Sequence, residues 1–337
     1  MESKVIRLKA TRQISVETEI LDIDNLGQDQ VAAETVFSAI SPGTEISAYK
    51  GDPPLRPMKI YPRVVGYCNV AQIIAIGKSE SDYRVGDHIL THQSHRSAFI
   101  CPVNRIITKV PSNTDLAMAC TTYLFHLGYS ALIKGDVRPG HNIAVVGLGT
   151  LGLATVAVSK FFGTKTLALS GRNQILPLAK DLGAHTALNK NEPTLKDTIA
   201  AESFEAGIDV VVTTSNSWQD WKLALSLPRK GGKICVIGFP GRTNPIPHFN
   251  PLDSRYFYDN QLSLIACGYT PDNQLPPHDM RFNLKRNCKF LLEQIINDNL
   301  PAHLIVSSVE PWTKIEDIYQ AMVLRQDPII TAVLKWK

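Results

Sequence analysis

The chain has 337 residues, of which 44% are hydrophobic and 20% charged, and its formal net charge is +4. This composition is that of an ordinary globular chain of roughly two domains, each long enough to bury a core. Basic residues form no run, which argues against nucleic-acid binding. The charged N-terminus argues against a signal peptide, and the lack of about 18 consecutive apolar residues argues against a membrane span. A cytoplasmic protein is therefore expected.

The first part of the chain, to about residue 115, predicts strands. Stretches such as "KVIRLKA", "QISVETEI" and "NVAQIIAIG" alternate or are rich in β-branched residues, and Gly and Pro separate them. This pattern favours a small, irregular β-barrel or sandwich. Two short turn-forming stretches within it, "AISPGTE" (39–45) and "GYC" (66–68), lie beside strand-like runs.

From about residue 116 the pattern changes to strands alternating with helices. The apolar helical stretch "LAMACTTYLFHLGYSALI" is followed by strand, turn, helix and strand in "NIAVVGLGTLGLATVAVSKFFGTKTLALS". The alternation continues through a helix "SWQDWKLALSLPRKGG" and the strands "KICVIGF" and "LSLIACG". Such alternation predicts an α/β unit with a doubly wound parallel sheet.

The tail no longer alternates. Two amphipathic helices, "RFNLKRNCKFLLEQIINDN" and "TKIEDIYQAMVL", precede a closing strand "IITAVLKW", and we interpret the tail as a return to the first domain. The stretch "TPDNQLPP" (270–277) is the expected crossing. The predicted domains are residues 1–118 with 278–337, and 119–277.

Residues 147–152 read "GLGTLG", between an apolar strand and a helix. In this context Gly147 permits a tight turn, Gly149 lets the backbone approach a pyrophosphate, and Gly152 lets helix and sheet pack closely. The free N–H groups and dipole at the helix start favour an anion there. The alternative is a glycine-rich turn that binds nothing. The predicted cofactor-binding residues also include Thr150, Leu151, Gly238 and Gly268.

The end of the second strand bears on the choice of cofactor. A carboxylate roughly 20 residues beyond the glycines would hold a ribose 2′-hydroxyl and repel a 2′-phosphate. This sequence instead has Ser170, Gly171 and Arg172. A hydroxyl and a guanidinium suit a phosphate, so NADP(H) is favoured over NAD(H). The alternative is that Arg172 is a solvated surface residue.

Six cysteines occur without CxxC spacing, so no zinc knuckle or disulfide framework is predicted. Cys235 and Cys267 lie in strand-like runs, where we interpret them as buried thiols.

The order of these segments resembles the medium-chain dehydrogenase/reductase superfamily, the zinc-type alcohol dehydrogenase-like proteins, from about residue 5 to the end. The stretches that carry the resemblance are "GDHI" (86–89), "GYSAL" (128–132), "VRPGHNIAVVGLGTLG" (137–152), "AKDLGA" (179–184), "KGGKICVIG" (230–238) and the closing "ITAVLKW". The resemblance implies a GroES-like β-rich catalytic domain and a Rossmann domain.

The resemblance also implies that the zinc ligands are replaced. Zinc alcohol dehydrogenases of this superfamily have a cysteine before "GTE", a histidine in Gly-His-Glu, and a cysteine before the "GYSAL" segment. Here the corresponding residues are Pro42, Tyr67 and Tyr123. Neither proline nor neutral tyrosine supplies the ligands that zinc takes. The four-cysteine structural-zinc loop is absent as well, so no metal site is predicted.

Histidines in "HILTHQSH" offer an alternative reading. In the first interpretation, His92 and His95 form a replacement metal cluster with Cys68 or Glu45. In the second, His88, His92 and His95 are polar residues of the pocket or the surface. We favour the second reading because no third ligand or supporting shell is evident.

Without a metal, charge left by hydride transfer must be stabilised by hydrogen-bond donors or discharged by a proton donor. The resemblance places Thr44 where a hydroxyl relays the substrate proton, Tyr67 facing the reacting carbon and His92 in the substrate pocket. Glu45 orients one of these groups or is a buried structural carboxylate, and His95 completes the predicted catalytic set. Tyr67 as a packing residue against the cofactor is the alternative.

These inferences predict a zinc-independent NADPH-dependent oxidoreductase acting on a small carbonyl/alcohol pair, in specialised metabolism. Two alternatives stay open: reduction of a conjugated C=C bond, and a non-catalytic cofactor-binding protein. A homodimer through the sheet edge at "QLSLIACG" is expected from the resemblance.

Overall fold

The computed structural model describes residues 1–53, 61–78, 82–201, 207–242, 244, 246–268, 270–271, 282–324 and 329–337. Its contacts divide the chain into two compact units, Met1–Tyr123 with Asp272–Lys337, and Leu124–Pro271. The expected crossing at 270–277 lies outside the described residues from position 272 onward.

The described residues form strands and α-helices in both units. The strands are β1 (Glu2–Ala10), β2 (Gln13–Ile20), β3 (Gln30–Ala39), β4 (Arg63–Val64), β5 (Cys68–Ile76), β6 (His88–Thr91), β7 (Ala98–Pro102), β8 (Ile106–Val110), β9 (Asn142–Val146), β10 (Lys165–Ser170), β11 (Thr186–Asn189), β12 (Ile208–Thr213), β13 (Pro228–Val236), β14 (Ser263–Ala266), β15 (Val306–Pro311) and β16 (Thr331–Lys335). The helices are α1 (Pro42–Lys50), α2 (Leu116–Ala119), α3 (Thr122–Lys134), α4 (Thr150–Ser159), α5 (Leu176–Asp181), α6 (Leu195–Ala201), α7 (Trp218–Ser226), α8 (Leu284–Ile296) and α9 (Ile315–Leu324).

The first unit is rich in strands, as predicted. β2, β1 and β4 form one sheet, and a larger sheet has the order β15-β16-β3-β5-β6-β8, with β7 paired to β3. β16 runs antiparallel to β3 with Val333 opposite Ala39, so the last strand of the chain completes a sheet begun near its start. One core of this unit packs α1 and α9 against β1 and β16 through side chains such as Leu8, Tyr319 and Leu334.

The second unit is built on a parallel sheet of order β11-β10-β9-β12-β13-β14, which confirms the predicted α/β class. β9 is apolar and buried except for its first residue, as expected of a strand covered on both faces. The strand order reverses between β9 and β12. Residues that follow β9 therefore lie where doubly wound sheets bind ligands.

Two local predictions need correction, and a third gains detail. The "SPGTE" stretch is not only a turn, because α1 begins within it at Pro42. The apolar helical stretch from residue 116 is divided into two helices, α2 and α3. The helix predicted through "LPRKGG" ends at Ser226, and Pro228 instead opens β13. A proline lacks the N–H that a helix interior needs but is accepted as the first residue of a strand.

All six cysteines are free and buried, in agreement with the expectation for Cys235 and Cys267. Within the described part of the chain, no helix has the length and apolarity needed to cross a membrane.

Candidate active site

The first turn of helix α1 places the hydroxyl of Thr44 at the surface and the carboxylate of Glu45 in the core. Ser41 is the N-cap residue, and Pro42 follows in the first turn, where its missing N–H leaves no hydrogen bond unmade. Thr44 is exposed, whereas Glu45 is 1% exposed. The helix therefore presents one hydroxyl outward and holds one carboxylate in the core.

Tyr67 lies beside this helix start. Its hydroxyl donates a short hydrogen bond to Ser41 Oγ and lies 3.5 Å from Thr44 Oγ1. The Tyr67 ring meets the ring of Tyr123 edge to face, with centroids 5.6 Å apart. Three hydroxyl groups from the "SPGTE" and "GYC" stretches thus converge in the first unit.

His92 joins the same group of side chains. Its ring packs edge-on against Tyr123 at 4.3 Å between centroids, and Nδ1 lies 3.0 Å from the carbonyl oxygen of Tyr67. Since a carbonyl only accepts, Nδ1 carries the proton and Nε2 is left as an acceptor. Desolvation of the ring lowers the pKa of His92 below its usual value, so the neutral imidazole is favoured.

The two phenols of the site are held in their protonated form. Burial, and to a lesser degree the neighbouring Cys68 thiol, raises the pKa of Tyr67 well above its usual value of 10.0. Burial does the same for the pKa of Tyr123. Each phenol is therefore a proton or hydrogen-bond donor across the ordinary working range of pH.

Glu45 and His95 belong to a buried network behind the hydroxyls. His95 is fully buried, and its Nε2 lies 2.8 Å from Glu45 Oε2. Tyr319 of α9 donates to the same oxygen at 2.5 Å, and the Ser41 N–H donates to Glu45 Oε1 at 2.6 Å. Both side chains are buried, so Glu45 and His95 lie behind the exposed Thr44 hydroxyl, and their place in the catalytic set stays a prediction.

The residues at the zinc-ligand positions do not fit a zinc ion. Pro42 has no ligand atom, and Tyr67 and Tyr123 keep their protons. Burial raises the pKa of the adjacent Cys68 thiol well above its usual value. No group of three His, Cys, Asp or Glu side chains with metal-binding geometry occurs among the described residues.

The histidines of the alternative metal cluster have other partners or positions in the structure. Both ring nitrogens of His95 are engaged, Nε2 with Glu45 and Nδ1 with Ser38 Oγ at 2.8 Å, so the ring has no lone pair directed at His92. His88 starts β6, whereas His92 follows the end of that strand.

In the second unit, the three glycines follow β9 with the geometry their spacing predicts. Gly147 has φ +96°, which favours glycine, and a Cβ on Gly152 would lie 1.9 Å from the Gly147 carbonyl oxygen. A Cβ on Gly149, the N-cap residue of α4, would meet nothing within 4 Å. Gly149 thus borders open space at the start of a helix, where the first N–H groups have no intrahelical acceptor, while Thr150 is buried and Leu151 is partly buried.

Ser170 and Arg172 lie at the end of β10. The Arg172 N–H donates to Ser170 Oγ at 3.1 Å, and Arg172 Nη2 donates to the Leu148 carbonyl of the glycine turn at 3.1 Å. Ser170 is buried and Arg172 is exposed. The Arg172 guanidinium therefore lies beside the glycine turn, and residues 170–172 at the end of β10 include no acidic residue.

Lys190 is a second cation at the same edge that the sequence analysis missed. A Cβ on Gly171 would lie 3.9 Å from its Nζ, and the ammonium forms a close ion pair with buried Asp220. Lys190 follows β11, which pairs with β10. The missed signal was the order of neighbouring strands, since the carboxyl ends of parallel strands meet at one edge.

The two remaining predicted cofactor residues differ in their surroundings. A Cβ on Gly238, just beyond β13, would lie 2.6 Å from the Thr214 carbonyl oxygen, so close backbone packing requires glycine there. A Cβ on Gly268, just beyond β14, would meet nothing within 4 Å.

Comparisons with known proteins agree with this architecture. The family described as zinc-binding dehydrogenase matches residues 150–281. Sorbitol dehydrogenase of Bacillus subtilis (strain 168) is 24% identical over 287 residues, covering 76% of this chain and 79% of its own. These findings support the resemblance to the zinc-type alcohol dehydrogenase-like proteins of the medium-chain dehydrogenase/reductase superfamily.

Solved structures described as dehydrogenases share the fold over nearly the whole chain. An alcohol dehydrogenase from Escherichia coli CFT073, solved with NADH, superposes with a TM-score of 0.81 at 16% identity, covering 99% of both chains. A protein described as a zinc-binding dehydrogenase from Sinorhizobium meliloti 1021, bound to NADP, has a TM-score of 0.78 at 15% identity, again covering 99% of both chains. The superfamily is one of oxidoreductases, and the predicted resemblance is confirmed.

Proposed function

We propose that this protein is a zinc-independent oxidoreductase that uses NADP(H) to interconvert a small carbonyl compound and its alcohol. The observation that carries the proposal is the Tyr67 phenol at a zinc-ligand position, hydrogen-bonded to Ser41 and held protonated by its surroundings. A group that stays protonated can discharge the alkoxide that forms when a carbonyl is reduced.

The glycine turn and its neighbours support a dinucleotide cofactor. Gly149 borders open space, and the start of α4 can receive a pyrophosphate on its N–H groups. NADP(H), when bound, supplies the hydride. Structures of similar fold have been solved with NADH and with NADP, so the preference for one of the two cofactors depends on this chain's own residues.

Those residues favour a 2′-phosphate. Arg172 lies at the end of β10, and Lys190, which is paired with Asp220, lies at the end of β11, while Ser170 offers a hydroxyl. A doubly charged phosphate is stabilised by such charge-assisted hydrogen bonds, whereas a plain ribose hydroxyl gains little from them. In NADH-preferring sites of this fold a carboxylate takes this place.

The hydroxyl groups divide the work of proton transfer. Tyr67 donates its proton to the developing alkoxide, and Thr44, exposed and 3.5 Å away, connects the phenol to solvent for reprotonation. Neutral His92 orients the backbone of Tyr67 through Nδ1 and offers Nε2 as an acceptor for a substrate hydroxyl. Ser41 fixes the direction of the phenol.

Turnover with a panel of aldehydes, ketones and enones tests this proposal. With NADPH deuterated at C4 we expect deuterium on the carbinol carbon, activity that survives chelators, and less than stoichiometric zinc by metal analysis. Tyr67→Phe is expected to lower kcat by about 100-fold or more. Deuterium on the former β-carbon of an enone would instead indicate C=C reduction, and NADPH binding without NADPH oxidation by any member of the panel would indicate a non-catalytic protein.

We also propose a homodimer that pairs through β14. This strand ends the sheet, and no strand among the described residues pairs with its outer edge. An unpaired edge readily takes up a second strand. Sedimentation equilibrium is expected to give twice the chain mass, and a proline at Leu264 is expected to produce monomers.

A further inference from the structure

The hydroxyl of Tyr319 has no part in the chemistry described so far. It lies on α9, 274 positions along the chain from Glu45, yet it donates to Glu45 Oε2 at 2.5 Å. Tyr319 is fully buried and Glu45 is 1% exposed. No local sequence signal links the two, so their contact is a product of the fold of the first unit.

Glu45 is a carboxylate surrounded by donors. It accepts from Tyr319, from His95 Nε2 at 2.8 Å and from the Ser41 N–H at 2.6 Å. A buried ionised carboxylate is costly unless each lone pair finds a donor. Removing one of the three therefore disturbs the positions of the other two.

The network of hydrogen bonds around Glu45 extends to Trp336. Trp336 Nε1 can only donate, and it lies 2.9 Å from Ser38 Oγ. Ser38 Oγ in turn lies 2.8 Å from His95 Nδ1. Since a carboxylate only accepts, His95 Nε2 carries the proton of its bond to Glu45 Oε2, which also accepts from Tyr319.

Glu45 reaches Tyr67 by two routes. Through Ser41 it holds the residue whose Oγ accepts from the Tyr67 hydroxyl. Through His95 it holds a ring against Gly66, since a Cβ on Gly66 would lie 2.7 Å from that ring. The backbone N–H of His95 also donates to the Val65 carbonyl at 2.8 Å. Both the phenol and the backbone before it are thus fixed from one carboxylate.

We propose that Tyr319 is a positioning residue for Tyr67, acting through Glu45, Ser41 and His95. The inference rests on the proposed function only in assigning proton donation to Tyr67. Its structural content, that the Tyr319 hydroxyl sets the orientation of the Tyr67 phenol, can be measured without a substrate.

Kinetics of the full chain test the catalytic part. Tyr319→Phe is expected to lower kcat about tenfold at unchanged KM for NADPH. Tyr49→Phe is the matched control, because Tyr49 is buried 5.4 Å from the Tyr319 ring and its hydroxyl has no hydrogen bond within the described residues. It is expected to leave kcat unchanged.

A double variant separates positioning from general destabilisation. If Tyr319 acts only through Tyr67, then Tyr67→Phe/Tyr319→Phe has the same kcat as Tyr67→Phe alone. A further tenfold loss in the double variant overturns the inference. A Tyr67→Phe variant with unchanged kcat instead refutes the proposed function and leaves the structural part to the next measurement.

NMR of protein labelled with ¹³Cζ-tyrosine gives that measurement. The Tyr67 resonance, assigned by its loss in Tyr67→Phe, is expected to shift in Tyr319→Phe and to stay in place in Tyr49→Phe. An unshifted Tyr67 resonance in folded Tyr319→Phe overturns the inference whether or not a substrate is known.

Discussion

At the scale of single residues, the proposed site relies on proton donors whose ionisation is suppressed and not on a Lewis acid. Tyr67 has a pKa raised by burial, and His92 has a pKa lowered by desolvation, so each is neutral near pH 7. A phenol of raised pKa is a weaker acid, yet it is still far more acidic than an alcohol and can protonate an alkoxide. Uncharged groups also avoid the cost of burying an uncompensated ion.

The lowered pKa values of His88 and His92 predict a dependence of stability on pH. Below about 6.5, the usual histidine pKa, the unfolded chain binds protons that the folded chain resists, so the free energy of unfolding falls as pH falls. The carboxylates with lowered pKa values, such as Asp87 and Asp209, lose their contribution only at lower pH.

Urea unfolding at pH 7.5, 6.5 and 5.5 measures this slope. His88→Asn and His92→Asn are each expected to flatten it, while Gln93→Ala, a neighbour without an ionisable group, leaves it unchanged. A slope that persists in the double histidine variant would assign the effect to other groups.

Cofactor preference is the second prediction at this scale. Arg172→Ala is expected to lower kcat/KM for NADPH by about 10- to 100-fold, with little change for NADH, because a charge-assisted contact to the 2′-phosphate is lost. Arg138→Ala is the control, since that exposed arginine of the same unit pairs with Asp136. Equal losses with the two cofactors would count against NADP(H) as the preferred cofactor.

At the scale of elements, two substitutions in the glycine turn are expected to affect different properties, one the affinity for the cofactor and the other the stability of the fold. Gly149→Ala adds a Cβ where the nearest atoms are more than 4 Å away, whereas Gly152→Ala adds one 1.9 Å from the Gly147 carbonyl oxygen. We expect Gly149→Ala to keep its melting temperature and lose NADPH affinity, because the Cβ fills the space a pyrophosphate needs. Gly152→Ala is expected to lose several degrees of melting temperature.

Thermal melts with and without NADPH distinguish the two variants, because a bound ligand raises the melting temperature. A Gly149→Ala protein that NADPH still stabilises as well as the original chain would place the pyrophosphate elsewhere.

The elements also show what the sequence could predict. The strand, glycine turn and helix around Gly147 depend on neighbours within a few residues, so their pattern is legible in the printed sequence. Helix α1 was missed because proline and glycine signal a turn, although proline also suits the first turn of a helix. Tyr319 was missed because packing across the first unit brings it to Glu45. Lys190 was missed because the order of strands in the second unit places the end of β11 beside the end of β10.

At the scale of the whole molecule, the two ends of the chain depend on each other. β16 lies inside the larger sheet, between β15 and β3, and Trp336 donates to Ser38 of β3. Leu334 is fully buried in the core that holds Tyr319. The second unit has a core of its own, formed by side chains such as Val146, Leu167 and Val211.

Deleting residues 331–337 is therefore expected to unfold the first unit and spare the second. The deletion removes an internal strand and opens two sheet edges, while the core of 124–271 keeps all its members. Limited proteolysis followed by mass spectrometry should yield a protected fragment close to 124–271, and NADPH should still stabilise it because the glycine turn and Arg172 lie within it. The full chain under the same digestion is the control, with both units protected. Loss of protection across the entire deleted protein would show instead that the second unit folds only with the first.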